Sequence, residues 1–360
     1  MKEKGFRLNG PLYDFKPIGR PFLRGALGEF DHGVTADPCI VWDEENQKWL
    51  MYYFAEEGGI GKFKLFSGMA ISKSATEVGG EGHWTKLGKA RFSNPEDLLE
   101  NSPHKPWIMM DPYRPNHAAQ INGRYYLFFV SLIGRLRCIQ YAESSSLYGP
   151  WAVHKTPIIM PDELEAFDGY WCDTITAYWF ESMGKILLFY KGYPQYPQAD
   201  QLRSPLGSSL AAAFMRPGDA RATKLGKIIA PSNVPSSWYA GWVSTMQIFP
   251  AKKGGWYGLT IASPTPPASL TSQPYMREPC PSMGGWAYCP HEFPDRDWVM
   301  EDRPICWLNE LSEEAFEMNE RVHLFRHHLL ILGEGKYYLY YNSGAYSDER
   351  MFAHVYEPKA

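Results

Sequence analysis

The sequence predicts an all-β protein, a five-bladed β-propeller formed by one domain that spans residues 1–360. Three observations predict this fold. A pattern of apolar strand, short polar turn and aromatic strand recurs five times. The chain contains 32 glycines and 29 prolines, which is typical of a protein with many turns. Aromatic residues make up 15% of the chain and are prominent in the second strand of the repeats.

Each repeat begins with an apolar strand and returns through an aromatic strand. Asp37-Pro38-Cys39-Ile40 leads to Trp49-Leu50-Met51-Tyr52-Tyr53, and Asp173-Thr174-Ile175-Thr176 leads in the same way to Ile186-Leu187-Leu188-Phe189-Tyr190. Asn122-Gly123 and Gly335-Lys336 are hairpin turns flanked by strand-forming residues. The five repeats are predicted at residues 37–54, 116–130, 173–190, 244–262 and 326–341.

Two further strands follow most hairpins. Third strands rich in small residues are predicted at 68–72, 138–142 and 210–214, and fourth strands at 84–92, 151–159, 223–229 and 298–306. The fifth repeat has only residues 351–356 before the chain ends. We therefore expect the N-terminal segment, about residues 10–25, to complete the last blade and close the ring.

Four stretches do not fit the repeat and are predicted to be long connections. They cover residues 93–112, 193–207, 263–285 and 309–320, and only 311–318 looks helical, with Ser312 as its N-cap. Long insertions on a rigid scaffold are where binding function usually lies.

Composition excludes several classes of protein. A net charge of −4 and a pI near 6.2 provide no basic surface for nucleic acid. The first residues lack an apolar signal core, and no stretch approaches the length of a membrane span. The six cysteines are scattered, so we expect reduced thiols in a cytoplasmic protein without a cofactor. A structural ion in the channel and a homo-oligomer are left open.

Polar residues recur where the innermost strand of each predicted blade begins. In a propeller these strand starts surround one end of the central channel. Two acids, an arginine, histidines and amides would together form a polar, partly enclosed site. The converging positions are Asp37, Asn116 with His117, Asp173, Ser244 with Gln247, and Arg326 with His327.

Each candidate also has a structural interpretation. Asp-Pro is a frequent turn opener, Asp173 could satisfy buried backbone donors, and the histidines could be core residues. Arg114 and Arg326 could pair with the acids or hold a sugar hydroxyl or carboxylate. Aromatic residues next to these positions are candidates for stacking on sugar rings: Trp171, Trp238 and Trp242. No histidine or cysteine spacing typical of a metal site occurs.

The segment Thr35-Ala36-Asp37-Pro38-Cys39-Ile40 resembles the Asp-Pro opening of the five-bladed glycoside hydrolases. These include families 43 and 62 and, more distantly, families 32, 68, 117 and 130. Cys172-Asp173-Thr174-Ile175-Thr176 resembles the second aspartate motif of family 43, with Thr174 in place of proline. The resemblance implies that Asp37 is the general base and that Asp173 adjusts the pKa of the acid and orients the substrate.

The sequence departs from family 43 at the general acid. That family has a glutamate at the start of a later inner strand, whereas the corresponding segment here, residues 242–249, contains no acid. Glu278 and Glu320 are the carboxylate candidates for this role. His117 and His323 are the imidazole alternatives, because family 117 is thought to use a histidine as its acid.

These residues predict a glycoside hydrolase that cleaves a terminal bond of a small oligosaccharide, with inversion. Inversion needs two groups whose carboxyls lie about 6.5–9.5 Å apart, so that a water fits between them. One alternative is a phosphorylase or transglycosidase with phosphate on Arg114, Arg203 or Arg326. Another is a sugar-binding propeller without catalysis.

Overall fold

The structure is a computed structural model that describes residues 6–58, 64–195, 207–264, 282–305, 325–333, 335–343 and 349–356. The all-β prediction is confirmed. Within these ranges there is no α-helix, and the helical segments are two 3₁₀ turns at Pro95–Asp97 and Glu181–Met183. The predicted helix at 311–318 lies outside the described residues.

The described strands form antiparallel runs, which we number first to fifth in chain order. The first run contains β2 (Val34–Asp43), β3 (Lys48–Glu57), β4 (Lys64–Ser72) and β5 (Trp84–Lys89). The second contains β6 (Glu100–Ile108), β7 (Tyr125–Ile133), β8 (Leu136–Ser144) and β9 (Ala152–Val153). The third contains β10 (Trp171–Phe180), β11 (Lys185–Tyr193), β12 (Ser209–Met215) and β13 (Thr223–Ile229). The second and third runs are joined into one sheet through the single residue pair Trp171–Arg137 of β10 and β8.

The fourth and fifth runs complete the described strands. The fourth contains β14 (Trp242–Pro250), β15 (Trp256–Ser263), β16 (Met283–Cys289) and β17 (Val299–Pro304). The fifth contains β18 (Phe325–Ile331), β19 (Tyr337–Ser343) and β20 (Arg350–Tyr356). Its outer strand is β1 (Lys16–Gly19), where Lys16 pairs with Val355 and Pro17 with His354. This is the position predicted for the N-terminal segment.

The second repeat corrects the sequence analysis. Its first strand is β6, which lies in the stretch predicted to be a connection, and not the segment that begins at Asn116. Two prolines and two charged residues hide this strand from pattern analysis. The pairing of β6 with β7 shifts register twice, between Glu100 and His104 and between His104 and Trp107, and these irregularities accommodate the prolines.

The first strands of the five runs contact one another. The Ile108 amide of β6 donates to Cys39 Sγ of β2, and Lys105 of β6 pairs with Asp173 of β10. Tyr178 of β10 accepts a hydrogen bond from the Ile248 amide of β14 (3.1 Å). Two further hydrogen bonds lead from β14 to β18 and from β18 back to β2: Gln247 Nε2 to the Leu329 carbonyl (3.0 Å), and the Ile40 amide to His328 Nε2 (3.3 Å).

Asn116 is a buried amide that holds β18 in place. Its Nδ2 donates to the Leu329 carbonyl (3.0 Å) and to His328 Nε2 (2.9 Å), and its Oδ1 accepts from the Ile331 amide (3.1 Å). The side chain is 0% exposed, so both the donor and the acceptor are needed. Asn116 therefore has a structural role in the interior.

We expect Asn116→Asp to lower the free energy of unfolding by about 3 kcal/mol at pH 7, because a buried carboxylate cannot donate to Leu329 or His328. Urea denaturation measures this. Asn122→Asp is the matched control: Asn122 also has a positive φ (52°, against 62° for Asn116) but lies in an exposed turn. Equal losses for both variants would contradict this role for Asn116.

Candidate active site

A shared backbone irregularity marks the start of each first strand. Register shifts lie between Ala36 and Cys39 in β2, His104 and Trp107 in β6, Asp173 and Ile175 in β10, Ser244 and Met246 in β14, and Phe325 and His328 in β18. Four residues in these shifts have positive φ: Asp37 (50°), Lys105 (52°), Thr174 (39°) and Arg326 (37°). Such bulges redirect side chains and are frequent next to active sites.

Asp173 lies at the bulge of β10 and is held by two cations. Its carboxylate accepts from Lys105 Nζ at 2.8 and 2.9 Å, and it also pairs with Arg137 Nη1. Asp173 is 0% exposed, and burial alone would raise its pKa. The charges of Arg137 and Lys105 outweigh burial and hold the pKa of Asp173 well below its ordinary value. Asp173 is therefore ionised throughout the physiological range.

Asp37 lies at the bulge of β2, and its pKa is shifted in the opposite direction from that of Asp173. It is 4% exposed, and burial raises the pKa of Asp37 from 3.8 to about 6. The charges of Arg326 and Lys105 lower that pKa, while those of Glu349 and Asp173 raise it. Asp37 can thus exchange a proton near neutral pH.

Arg326 places a buried guanidinium between three strands. It donates to the carbonyls of Lys105 (3.3 Å) and Pro106 (3.4 Å) on β6 and of Ile175 (2.8 Å) on β10. Burial lowers the pKa of Arg326, and the negative charges of Asp37 and Asp173 act against that decrease. The predicted convergence of Asp37, Asp173 and Arg326 is therefore observed.

Ser244, on β14, joins the same group. Its hydroxyl lies 3.4 Å from the hydroxyl of Thr174, the residue after Asp173, and both side chains are buried. The bulges of all five first strands thus lie at one end of the strand cluster.

Glu349 is a carboxylate that sequence analysis missed. It directly precedes β20, and its Oε2 accepts from Asn342 Nδ2 (3.2 Å). Asn342 Oδ1 in turn accepts from the Asp37 amide (3.3 Å), and the Thr35 amide donates to the Glu349 carbonyl (3.2 Å). Glu349 therefore lies beside Asp37 at the end of the strand cluster that holds the five bulges, which we call the mouth. It escaped notice because it follows a second strand and does not begin a first strand.

Trp171 presents an aromatic face beside Asp173. The Arg137 guanidinium lies 4.1 Å from the centre of its ring, and the indole Nε1 donates to the Arg135 carbonyl (2.7 Å). The side chain is only partly buried. The stacking role of Trp171 stays a prediction.

Sequence analysis also missed Lys105 and Arg137. Lys105 lies in the strand that was predicted to be a connection, and Arg137 lies on a third strand. Alignment of the five bulges would have found Lys105, because it occupies the position of Asp37 in its own run. Their side chains are 18% and 16% exposed, so both reach the mouth.

His117 and Arg114 do not join this group. His117 pairs with Trp42, five residues further along β2 than Asp37 and roughly 15 Å away along the strand. Both His117 (3.6 Å) and Arg114 (2.9 Å) approach Glu44, which follows β2. They lie at the opposite end of the strands because the second run begins at β6. The predicted convergence of His117 with Asp37 is therefore wrong, and Arg114 pairs with Glu44 and not with Asp37 or Asp173.

Gln247, Trp238 and Trp242 are also packing residues and not exposed substrate contacts. The Gln247 amide is bonded to both the amide and the carbonyl of Leu329, so it holds β14 to β18. Trp238, 4% exposed, packs on Gly285 and donates to the Glu301 carbonyl (2.9 Å). Trp242 is 0% exposed. His327 is buried against Gly284 and Tyr341.

Three predicted site residues, Glu278, Glu320 and His323, lie outside the described residues. Across the parts of the chain that the structure describes, no group of three or more histidine, cysteine, aspartate or glutamate side chains could hold a metal ion. None of the described helices is long and apolar enough to cross a membrane.

Comparison with known proteins shows the fold. No family profile matches the sequence, and no curated protein matches it. Among solved structures, the chain is similar to one described as a glycoside hydrolase, with 13% identity and a TM-score of 0.67 over 97% of this chain and 93% of the other. Another belongs to work on the GH130 family of mannoside phosphorylases, which contains glycoside hydrolases that target β-1,2-mannosidic linkages in Candida mannan. It has 15% identity and a TM-score of 0.66 over 99% of this chain and 98% of the other. A third is a thermostable family-43 glycoside hydrolase, with 14% identity and a TM-score of 0.60 over 89% of this chain and 88% of the other. The chain therefore has the all-β, propeller-like fold of these proteins.

The two aspartates are expected to affect stability in opposite directions. Ionised Asp37 is unfavourable in the folded state, because its pKa is raised from 3.8 to about 6. At 1.36 kcal/mol per pKa unit, Asp37→Asn should raise the free energy of unfolding by up to about 3 kcal/mol at pH 7. This gain should shrink as the pH falls through about 6 and vanish below about 4, where wild-type Asp37 is protonated in both states.

Asp173→Asn should instead destabilise the protein by about 3–5 kcal/mol at pH 7, because Lys105 and Arg137 lose their buried counter-charge. The loss should shrink in strong acid, as the pH falls through the low folded-state pKa of Asp173. Chemical denaturation between pH 4 and 8 compares both variants with the wild type. Changes of the same sign at pH 7 would contradict the assigned charge states.

Proposed function

We propose that this protein is a glycoside hydrolase that cleaves a terminal glycosidic bond of a small oligosaccharide or glycoside, with inversion. One observation carries the proposal. Two buried carboxyls at equivalent bulges, Asp37 and Asp173, lie at one end of the strand cluster, and their surroundings drive their pKa values apart. Pairs of this kind are how one site holds a proton-transfer group beside a permanent charge.

Asp37 is the general base in this proposal. Its pKa of about 6 leaves it mostly ionised at neutral pH, yet basic enough to take a proton from water. Asp173 keeps its negative charge through Lys105 and Arg137. That charge raises the pKa of Asp37 and would stabilise the positive charge that develops on the sugar ring in the transition state.

Glu349 is the proposed proton donor to the leaving oxygen. It is near enough to Asp37 for its charge to raise that pKa, and Asn342 links the two residues by hydrogen bonds. Glu349 thus takes the role of general acid, for which the sequence analysis named Glu278, Glu320, His117 and His323. Trp171, which is partly buried and lies beside Arg137, is the proposed platform for a sugar ring.

We further propose that the five runs are the blades of a closed propeller in a single domain. The contacts that lead from β2 through β6, β10, β14 and β18 back to β2 support this arrangement, as does the pairing of β1 with β20. The four described cysteines are free and buried, which supports a reducing compartment such as the cytoplasm.

Phosphorolysis is the second candidate function. Lys105, Arg137 and Arg326 place three cationic groups around the two aspartates, and phosphate could bind there. One of the similar structures comes from a family of mannoside phosphorylases. Of the arginines that the sequence offered for phosphate, Arg114 lies at the far end of the strands and Arg203 lies outside the described residues.

We expect the protein to hydrolyse at least one member of a panel of aryl glycosides and oligosaccharides without phosphate. The rate kcat/KM should rise with pH through about 6, because Asp37 must lose its proton to act as a base. Asp37→Asn should lower kcat by at least about 100-fold. Glu44→Gln is the control, because Glu44 lies at the opposite end of the strands and its side chain is 60% exposed. This variant should have the same kcat as the wild type.

The outcomes separate the candidate functions. Turnover that requires phosphate would favour phosphorolysis, and binding without turnover would favour a sugar-binding protein. NMR of the first-formed sugar anomer tests inversion. Full activity in Asp37→Asn would contradict the proposed mechanism.

The role of Glu349 has its own test. Glu349→Gln should lower kcat by about 100-fold or more on substrates with a poorly acidic leaving group, because these need a proton donor. Glycosides of acidic phenols should lose much less, since their leaving group departs without protonation. A uniform loss across leaving groups, like that expected for Asp37→Asn, would contradict a role as the acid.

A further inference from the structure

A buried aspartate ahead of Asp37 in the chain is bound by a buried tyrosine and a partly exposed lysine. The carboxyl of Asp31, which is 1% exposed, accepts a hydrogen bond from the Tyr53 hydroxyl (2.9 Å) and pairs with Lys86 Nζ (2.6 Å). Asp31 lies in the segment that leads into β2, Tyr53 on β3 and Lys86 on β5. We call this group the first lock, because it ties the segment ahead of Asp37 to two strands of the same run.

The same group occurs ahead of Asp173. The carboxyl of Asp168, which is 0% exposed, accepts from the Tyr190 hydroxyl (2.8 Å) and pairs with Lys224 Nζ (2.7 Å). Tyr190 lies on β11 and Lys224 on β13, the second and fourth strands of the third run. This second lock therefore repeats the residue types and the strand positions of the first, and Lys224 also pairs with Asp162 Oδ1 (2.7 Å).

The segments that contain the locks also resemble each other in sequence. A Phe-Asp pair stands in each segment: Asp31 of Phe30-Asp31 is six residues before Asp37, and Asp168 of Phe167-Asp168 is five residues before Asp173. A glycine follows each lock at a close approach of two backbones: a Cβ on Gly33 would clash with the Gly58 carbonyl, and one on Gly169 with the Glu163 carbonyl. Both segments thus have little room to shift.

The other described lead-in segments have different contacts. Asp31 and Asp168 each stand three residues before their strand, and ahead of β14 that position is Tyr239, which has no carboxyl to accept such bonds. The preceding residue, Trp238, donates its indole N–H to the Glu301 carbonyl. Ahead of β6, the carboxyl of Asp97 accepts from Asn94 within its own 3₁₀ turn. The lead-in to β18 lies outside the described residues. Among the four segments that can be compared, the lock accompanies the two strands that carry an aspartate at the bulge.

We infer that the two locks are positioning devices for the reaction, which hold Asp37 and Asp173 in their bulged conformations so that both carboxyls face the mouth. The inference rests on the proposed function. It assigns Tyr53 and Tyr190, together with their partners, to the reaction although neither touches the substrate.

The physical reason lies in the backbone at the bulges. Asp37 (φ 50°) and Thr174 (φ 39°) occupy a conformation that is unfavourable for residues other than glycine. Such conformations persist only where surrounding contacts over-determine them. Burial and the charge of Asp31 raise the pKa of Tyr53, so its hydroxyl keeps its proton and remains a donor across the working pH range. The lock therefore does not loosen as Asp37 titrates.

Tyr53→Phe tests the first lock with a small change. We expect kcat to fall by roughly tenfold or more with little change in KM, because the base is misplaced while the sugar platform is intact. We also expect the pKa of Asp37 to fall by about one unit, since a looser segment lets water reach the carboxyl. That pKa can be measured without turnover. The free energy of unfolding is followed against pH in Tyr53→Phe and in the double variant Tyr53→Phe/Asp37→Asn, and the difference between the two curves gives the pKa of Asp37. Tyr190→Phe should lower kcat similarly.

Tyr340→Phe is the matched control. Tyr340 lies on β19, the second strand of the fifth run, is 0% exposed and donates to the Val78 carbonyl, so its hydroxyl belongs to neither lock. The Tyr340→Phe variant should lose about as much free energy of unfolding as Tyr53→Phe, but its kcat and the pKa of its Asp37 should equal those of the wild type. If Tyr53→Phe and Tyr190→Phe behave like this control, the locks are structural and the inference is overturned.

The two proposals fail separately. If the wild type turns over no glycoside, the proposed function fails, and the pKa comparison alone then decides the inference: a lower pKa of Asp37 in Tyr53→Phe supports it, and an unchanged one overturns it.

Discussion

The buried guanidinium of Arg326 constrains the whole centre of the molecule. A charge that is removed from water must have both hydrogen-bond partners and a counter-charge nearby. Carbonyls from β6 and β10 provide the hydrogen bonds, while Asp37 and Asp173 provide the negative charge. The carbonyls that Arg326 contacts lie at or next to the bulges of those strands, so the irregular backbone and the buried charge require each other.

The arrangement makes stability and function compete at one residue. Asp173 is stabilised by two cations, whereas Asp37 is ionised in a place where burial outweighs its favourable partners. Strained backbone at the bulges adds a further cost, which the extensive buried core offsets. Functional sites are commonly the places where a protein departs from the most stable sequence.

Much of the fold could be predicted from sequence, because hairpin turns and aromatic strands are local signals. Asp37 and Asp173 could be found for the same reason: each opens a regular apolar strand. The strand of Lys105 could not, since its prolines and charges contradict strand propensity and only tertiary pairing forces it into the sheet. Trp238 and Trp242 misled the prediction because aromatic residues just ahead of a strand or at its first position fill gaps between strands as readily as they bind sugars. Glu349 is recognised only through its hydrogen bond with Asn342 on the neighbouring strand β19, which no repeat pattern encodes.

The order of the bulge residues has a consequence for how molecules approach the mouth. Passing from β2 to β6, β10, β14 and β18, the described positions carry Asp37, Lys105, Asp173, Ser244 and Arg326. Opposite charges therefore lie next to each other, and their fields largely cancel within about one Debye length, roughly 8–10 Å. Such a mouth exerts little long-range pull on an ion but offers closely spaced donors and acceptors at contact. Its encounter with a neutral, hydroxyl-rich molecule would depend only weakly on ionic strength.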